Sequence, residues 1–370
     1  MTATDSETTA PPTAPPAAAA TRSVGLDVLR VTAILGVVAI HVFGGIVSNP
    51  AIRGSGTWWA ATAVDIGNIW VIPVFVMVSG ALLLGPRAHA AGPRAFYRKR
   101  LLRLGPAFVA WQVFYIVVVQ QWLSHRNLSL IDVLQQIADG KTYTHLYFLY
   151  LIVGLYLVAP VLAAFLAGGG AGRAYIFAGT VLVSTLLVYV IADLSALNGA
   201  PRPIVLNALT QWVPYVGYFL VGWALRKVVL SWRWATVASI VTLALLAETV
   251  WQYANSGRHV LLNAVSPIGY LGFIVAAASI GVFLVGQSVF ARVKASGRFG
   301  RMLAELSDAS FGVFLVHFFF IVLLAMLFPW AADLRDTNFF AAAAFWLCVV
   351  IASFAVSLGA RRVPVLRRIF

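Results

Sequence analysis

The stretch from Gly25 to Ile46 most constrains what this chain can fold into. A helix of about 20 apolar residues crosses a lipid bilayer, and this stretch is long enough, so it predicts a transmembrane helix. It nevertheless contains an acid, Asp27, a base, Arg30, and a histidine, His41. Ionisable side chains inside a spanning helix are energetically costly and usually face a partner or a water-filled cavity. These three residues are therefore the first candidates for function.

The three ionisable residues share one face of the predicted helix. Arg30 and His41 are separated by about three helical turns, or roughly 16 Å along the axis. Asp27 precedes Arg30 by three residues, a spacing at which two side chains pair. Either Asp27 and Arg30 form an anchoring ion pair beside a packed His41, or the three residues form a functional polar face. We favour the second interpretation because all three lie on one face of the first span.

Composition assigns the chain to the membrane proteins. Of its 370 residues, 61% are hydrophobic and only 10% are charged, whereas soluble domains average about 25% charged residues. We therefore predict an all-α polytopic membrane protein with about ten transmembrane helices. The predicted spans are 24–46, 58–84, 104–123, 145–167, 174–192, 205–225, 234–254, 265–286, 309–329 and 338–360.

The sequence divides into three parts. Residues 1–23 are rich in Ala, Pro and Thr and have no hydrophobic period, which predicts a disordered tail. Residues 24–360 form one membrane domain, and residues 361–370 form a short basic tail. The single cysteine, Cys348, excludes an intrachain disulfide. The histidines are scattered along the chain without paired metal-ligand spacing, so we predict no metal site.

The distribution of basic residues predicts the orientation in the membrane. The net charge of +14 is also a property of nucleic-acid-binding proteins, but most Lys and Arg residues here fall in alternate loops. By the positive-inside rule, the loops richest in Lys and Arg are cytoplasmic, which places both termini in the cytoplasm and excludes nucleic acid as a partner. The basic residues on the opposite side are Arg53, Arg126, Lys141, Arg202, Arg258 and Arg335.

With this orientation, the position of each polar residue along its span indicates how far it lies from the outer surface of the membrane. Asp65 and Glu248 lie in the outer halves of the second and seventh spans, and His145 stands at the outer mouth of the fourth. His317 is near the middle of the ninth span. We expect several of these residues to converge with His41 on a site deep in the membrane that opens outward.

Five segments in order along the chain resemble the integral membrane acyltransferase-3 family, the O-acyltransferases of bacterial surface glycans and some small molecules. Arg30 and His41 match its Arg–ten residues–His signature. The other four segments are IPVFVMVSGALLL at 72–84, RLLR at 100–103, HLYFLYLIVGLYLVAPVL at 145–162 and LSDASFGVFLVH at 306–317. One departure is Tyr147, where the family has Trp in its His-Leu-Trp motif, but an aromatic residue is kept.

The resemblance implies an enzyme that O-acylates its acceptor. The donor would be a cytoplasmic acyl-CoA, usually acetyl-CoA, and the acceptor a sugar hydroxyl presented from the extracytoplasmic side. Residues 24–360 would then be the acyltransferase domain, in the cytoplasmic membrane of a bacterium, and the product a modified carbohydrate of the cell envelope. Lipid-linked sugars, nascent glycans and glycosylated small molecules are all open as acceptors, and acyl chain length and oligomeric state are undetermined.

The polar residues suit this chemistry. Histidine titrates near neutral pH, so His41 is our candidate for the base that removes the hydroxyl proton. Arginine binds phosphate in a bidentate way, so Arg100 and Arg103 are candidates for the CoA phosphates. Basic clusters after a span are also ordinary signals of membrane topology, and the two interpretations are about equally supported. The RLLR spacing slightly favours a role in CoA binding. Arg30 either binds the 3′-phosphate or pantetheine part of CoA or holds the helix through Asp27.

The remaining candidates have two interpretations each. Asp65 or Glu248 either orients His41 and stabilises its protonated form, as the acid of a catalytic triad does, or contacts the acceptor. His145 and Tyr147 are candidates for substrate binding. His317 either forms a second polar wall of the substrate site or is a packed histidine, and we slightly favour packing.

Two other classes of protein compete with an acyltransferase. A transporter or flippase would also carry intramembrane His, Asp and Glu, as a proton or substrate pathway. Transporters often consist of two similar halves, and the sequence contains no such repeat. A sensor or scaffold without catalysis leaves the polar face of Arg30 and His41 unexplained.

Overall fold

The computed structural model describes residues 22–293 and 296–370, so residues 1–21 of the predicted tail and Lys294 lie outside the described residues. Within the described part the chain forms helices joined by turns and irregular segments, with no β-strand. Nine helical segments there are long and apolar enough to cross a membrane. The prediction of an all-α polytopic membrane protein is therefore confirmed.

The first half of the described chain contains seven helices. They are α1 (Val24–Ser48), α2 (Gly56–Asp65), α3 (Val71–Leu83), α4 (Pro86–His89), α5 (Gly92–Phe114), α6 (Leu130–Ala138) and α7 (Tyr147–Ala167). The helices α2 and α3 together form the second candidate span, and α5 continues as a π-helical segment over Tyr115–Leu123 to form the third.

The second half of the described chain contains eight helices. They are α8 (Ala171–Leu197), α9 (Val216–Leu225), α10 (Trp232–Ala254), α11 (Val260–Val265), α12 (Phe273–Phe290), α13 (Gly297–Leu327), α14 (Pro329–Arg335) and α15 (Phe339–Ala360). Of these, α8, α10, α12, α13 and α15 are candidate spans.

Three predicted spans are interrupted or only partly helical, and α5 and α13 begin well before the predicted starts at 104 and 309. The predicted span 265–286 is a continuous helix only from Phe273, because residues 266–272 form turns and bends. The predicted span 58–84 is broken, because a 3₁₀ turn over Ile66–Asn68 separates α2 from α3. The Asn68 side chain donates a hydrogen bond of 2.7 Å to the Val64 carbonyl beside this break. Of the predicted span 205–225, only the last part is helical, as the shorter apolar helix Val213–Leu225. The prediction of about ten spans thus corresponds to nine long helices and this short one among the described residues.

The helix α1 lies at the centre of the bundle. It packs against α2, α3, α12, α13 and α15, and most of its side chains are buried. Ser23 begins it as an N-cap whose hydroxyl accepts a hydrogen bond from the Leu26 N–H. Because α1 contacts so many neighbours, most of its side chains meet another helix.

The helices α3 and α9 cross at backbone distance. A Cβ atom on Gly80 would overlap the carbonyl oxygen of Phe219, and one on Gly222 would overlap the carbonyl oxygen of Met77. Small residues permit this close approach between membrane helices. The position of α3, which carries part of the site described below, is therefore fixed by backbone contact with α9.

Ion pairs join the start of α1 to α13 and the end of α15. Arg22 Nε donates to Asp27 Oδ2 at 2.5 Å, and Arg22 Nη2 lies 2.8 Å from Asp308 Oδ1. The Ser307 hydroxyl also donates to Asp27 at 2.7 Å, and Arg361 lies 3.5 Å from Asp308. Hydrogen bonds to Asp27 and then Asp308 raise the pKa of the Arg22 guanidinium above its ordinary value. We call this end of the bundle the basic end.

This arrangement differs from the pairing of Asp27 with Arg30 that their spacing allowed. Among the described residues, Asp27 pairs with Arg22 and accepts a hydrogen bond from Ser307. The Arg30 side chain lies along a cavity instead. The partner of Asp27 comes from the residues just before α1 rather than from within the helix.

Candidate active site

Three histidines from separate parts of the sequence meet inside the bundle. The rings of His41, on α1, and His317, on α13, are stacked with their centroids 5.5 Å apart. The ring of His145, from the turn before α7, lies 4.9 Å from that of His317. Phe318 packs against all three, with its centroid 4.4 Å from that of His41. Of the four residues considered for convergence with His41, His145 and His317 therefore meet it, whereas Asp65 and Glu248 do not line the cavity beside it.

The hydrogen bonding of His317 fixes its tautomer. Its Nδ1 lies 2.7 Å from the Phe314 carbonyl oxygen and 3.2 Å from that of Val313. Because a carbonyl oxygen only accepts, Nδ1 carries the proton in these contacts. The other nitrogen, Nε2, has no hydrogen-bond partner among the described residues. His317 thus presents a ring whose orientation is set by its own helix.

Two tyrosines hold His145 from the other side. The ring centroids of Tyr115 and Tyr143 lie 4.8 Å and 5.9 Å from that of His145. The Tyr115 hydroxyl donates to the Leu315 carbonyl at 2.8 Å and accepts from the Phe319 N–H at 3.2 Å. Tyr115 is the first residue of the π-helical segment. It ties the third span to α13 at the level of the histidines.

A small cavity adjoins His41, and we call it the histidine cavity. Its volume is about 30 Å³. His41 is half-buried and lines it, whereas His317 is fully buried and does not. The other polar residues that line it are His145, Tyr147 and Tyr270.

Tyr270 is a site residue that the sequence analysis missed. It lies in the irregular segment before α12, and the Tyr218 hydroxyl donates to its backbone carbonyl at 2.5 Å. No motif marks it, because its place beside the histidine cavity depends on the packing of α9 against that segment.

A larger cavity lies toward the basic end, and we call it the basic cavity. Its volume is about 160 Å³, and Arg30, Arg100 and Arg103 all line it. Arg100 also lies over the rings of Phe96 and Tyr156, at 5.2 Å and 5.6 Å from their centroids. Three arginines from α1 and α5 thus line one cavity, together with the single carboxylate of Asp308. That arrangement suits a ligand carrying several negative charges.

The two cavities share part of their walls. Ile72, from α3, and Phe314, from α13, line both of them. Both side chains are buried. The basic cavity and the histidine cavity are therefore neighbours separated at the level of these two side chains, which we call the constriction.

Two predicted site residues lie away from the histidine cavity. Asp65 is half-buried at the end of α2, and its Oδ2 would be 3.7 Å from a Cβ placed on Gly44, about one turn beyond His41. Glu248 is half-buried on α10. Neither carboxylate lines the cavity, and the neighbours of His41 are His317 and Phe318. In the described chain, no group of three or more His, Cys, Asp or Glu side chains could hold a metal ion.

Similarity to a known protein family indicates the class of reaction to which these cavities belong. The acyltransferase-3 family model, described as an acyltransferase domain, matches residues 23–362, nearly the whole chain. The chain belongs to the acyltransferase-3 family. It is therefore a membrane acyltransferase, with a donor and an acceptor to bind. No curated protein and no solved structure matches this acyltransferase.

Proposed function

We propose that this acyltransferase moves an acyl group, most simply acetyl, from cytoplasmic acyl-CoA to a hydroxyl of a glycan, a lipid-linked sugar or a glycosylated small molecule. The observation that carries the proposal is the pair of adjoining cavities. One contains three arginines and the other contains His41, and they meet at the constriction. An anionic donor and its reacting end can therefore occupy neighbouring spaces.

In this proposal the arginines of the basic cavity hold the donor. CoA carries phosphate groups, and the planar guanidinium of arginine binds phosphate through two parallel hydrogen bonds. Arg100 and Arg103 come from α5 and Arg30 from α1, so they approach one ligand from two helices. The phenyl rings of Phe75 and Phe148 also line this cavity and give the pantetheine arm an apolar wall.

His41 acts as the general base. Its imidazole takes the proton of the acceptor hydroxyl, whose oxygen then bonds to the thioester carbonyl carbon. The bond between that carbon and the CoA sulfur breaks, and the proton passes from His41 to the departing thiolate. An ester and CoA are formed, and His41 returns to its neutral state. His317, held by its own helix carbonyls, keeps the His41 ring in place by stacking.

The acceptor meets the histidine cavity at its remaining polar walls. His145 and Tyr147 offer ring nitrogens and a phenol hydroxyl to a polyhydroxylated ligand, and Tyr270 offers a second phenol. Asp65, at the end of α2, lies beside Gly44 of α1, about one turn beyond His41, and in the outer half of the membrane by the predicted orientation. There it contacts the acceptor rather than His41.

A labelling experiment tests the proposal. The protein would be expressed in a strain that lacks the gene, and isolated membranes of that strain would be incubated with acetyl-CoA that carries a radiolabelled acetyl group. We expect label in an ester product that is extracted with the glycan or lipid fraction. Removal of this label by mild alkali would identify it as an O-acyl ester. A transporter or flippase would change the distribution of a solute without forming any labelled ester, and that result would overturn the proposal.

The role of the arginines has a matched control on the same helix. We expect Arg100→Ala combined with Arg103→Ala to weaken acetyl-CoA binding at least tenfold, because hydrogen bonds to charged groups contribute about 1.5–3 kcal/mol each. Arg94 and Arg98 are exposed on α5 and do not line the basic cavity. The double variant Arg94→Ala with Arg98→Ala should bind acetyl-CoA normally. Unchanged acetyl-CoA affinity in a well-folded Arg100→Ala, Arg103→Ala variant would assign these two residues to topology alone, and equal loss in both double variants would indicate a general effect of positive charge.

A further inference from the structure

The histidine cavity is much smaller than the basic cavity, and this difference limits the length of the acyl group that fits beside His41. The histidine cavity measures about 30 Å³, against about 160 Å³ for the basic cavity. A cavity needs at least about 10–15 Å³ of such volume to hold a single water molecule. The histidine cavity exceeds that minimum only about two- to threefold, so a short acyl group fits beside His41 better than a long one.

Apolar side chains set this size. Val37, Ile40, Val71, Ile72 and Phe314 form the nonpolar wall of the histidine cavity. Protein interiors are densely packed, so an extra methylene group in a filled pocket is accommodated only by displacing its neighbours. A longer acyl chain at His41 would have to push against this wall.

The constriction is the part of the wall that an acyl group meets first. The Phe314 ring packs against that of Phe148, with centroids 5.2 Å apart, and Phe148 packs against Phe75 at 6.1 Å. Phe75, Phe148 and Phe314 all line the basic cavity. On the other side, Phe314 lies 5.2 Å from His145. Phe314 is thus held on both sides, while Ile72 faces it from a separate helix.

We propose that Ile72 and Phe314 determine acyl-chain specificity: their side chains restrict the acyl group that reaches His41 to about two carbons. This inference rests on the proposed function, because it assumes that the acyl group passes from the basic cavity to the histidine cavity. Ile72 is the adjustable member of the pair, since aromatic rings hold Phe314 in place. Shortening Ile72 joins the two cavities and lengthens the acyl chain that fits.

The test compares donors of increasing chain length. The strain that lacks the gene would express each variant, and its membranes would receive acetyl-, butanoyl- or hexanoyl-CoA with a radiolabelled acyl group. In an apolar pocket, one misfitting methylene changes specificity by about 10–200-fold. We expect the wild type to use acetyl-CoA at least tenfold better than butanoyl-CoA. In Ile72→Ala, the ratio of butanoyl to acetyl transfer should rise at least tenfold.

Two further variants keep the test decisive. Ile72→Val removes a single carbon and should raise the butanoyl-to-acetyl ratio by a smaller factor, which covers the case in which Ile72→Ala folds poorly. Ile34→Ala is the matched control, because Ile34 is fully buried on α1 and lines neither cavity. Its chain-length profile should equal that of the wild type.

The outcomes separate this inference from the proposed function. No ester from any acyl-CoA in the wild type would overturn the proposed function, and this inference with it. Acetyl transfer with an unchanged profile in folded Ile72→Ala and Ile72→Val would overturn only the specificity role. A shift of equal size in Ile34→Ala would also overturn it, because general loosening of the bundle would then explain the change.

Discussion

His41 differs in its surroundings from the two histidines beside it. His317 is fully buried and donates from Nδ1 to its own helix, whereas His41 reaches a cavity on a central helix. A general base must reach the proton it removes, so access to the cavity favours His41 over His317 for this role. A stacked, immobile neighbour then serves to orient the ring of the base.

Substitution of His41 distinguishes a base from a packed histidine. We expect His41→Ala to bind acetyl-CoA but to transfer acyl groups about 10²–10⁴-fold more slowly, the usual contribution of a positioned base. His41→Gln should be nearly as slow, because an amide keeps a hydrogen bond but cannot take up the proton at neutral pH. The measurements are ester formation, acetyl-CoA binding and thermal unfolding for each variant.

A packing role for His41 predicts a different pattern. His41→Ala would be unstable, and His41→Gln would have the stability and the transfer activity of the wild type. His259 supplies the control. It is exposed and packs only beside Trp251, at a centroid distance of 4.9 Å, outside both cavities. His259→Ala should retain full transfer.

The candidate site residues that the sequence marks carry an ionisable group in a predicted span. His41, His145 and Arg30 stand out because ionisable residues are rare in membrane helices. Arg22 and Tyr270 did not stand out. Arg22 lies in a stretch without hydrophobic periodicity, and its partners Asp27 and Asp308 are known only once α1 and α13 are packed. A tyrosine such as Tyr270 is ordinary in a membrane protein, so only its position in the fold marks it.

At the scale of the helices, hydrophobic length predicted the spans but not their interruptions. The segment 58–84 is apolar enough overall to be predicted as one span, but Asp65, Gly67 and Asn68 interrupt it. The helix breaks over Ile66–Asn68, where the Asn68 side chain lies so close to α1 that a Cβ on Gly36 would overlap it. Similarly, the length of 205–225 predicted a full span, but its first part is irregular. Pro201 and Pro203 come just before this segment and Asn207 lies within it, and proline does not continue a helix. Hydropathy alone does not report such tertiary effects.

The close crossing of α3 and α9 makes a prediction about stability. Gly80→Ala places a methyl group against the Phe219 carbonyl, and overpacking of this kind costs about 1–3 kcal/mol. We therefore expect a lower thermal unfolding temperature in detergent. Gly179 on α8 is the control, because a Cβ there meets nothing within 4 Å. Gly179→Ala should leave stability unchanged or raise it by up to about 1 kcal/mol.

A loss of stability in Gly179→Ala as large as that in Gly80→Ala would show that glycine flexibility, rather than close contact, is the important property. Gly222→Ala provides a second reading of the same crossing, since its methyl group would meet the Met77 carbonyl from the other helix.

At the scale of the whole molecule, the positive charge and the basic cavity lie at the same end. Arg22, Asp308 and Arg361 join there, and Arg30, Arg100 and Arg103 line the cavity. If this end is cytoplasmic, as the positive-inside rule predicts, the basic cavity faces the compartment that holds acyl-CoA. The proposed donor site therefore depends on this orientation, because acyl-CoA reaches the basic cavity only if the basic end is cytoplasmic.

Cysteine labelling tests the orientation. After replacement of Cys348 by serine, single cysteines would be introduced at Ser129, Ser256 and Ser296. We expect an impermeant maleimide added to intact cells to label the variants at 129 and 256 but not the variant at 296, because the first two loops are predicted to be external. Permeabilised cells, in which all three should react, provide the control. Labelling only at 296 would reverse the orientation and remove the donor from the basic cavity.

The crossing of α3 with α9 has a consequence for how this enzyme could diversify. The side chains of Ile72, Phe75 and Ser79 face the basic cavity, whereas Gly80 and Met77 meet α9 on a different face of the same helix. Because backbone contact on that face fixes the helix, the cavity-facing positions are free to change without shifting the frame. If the basic cavity binds the donor as proposed, natural variants could change their donor by substitutions along one row of α3, while selection on its glycine keeps the bundle intact.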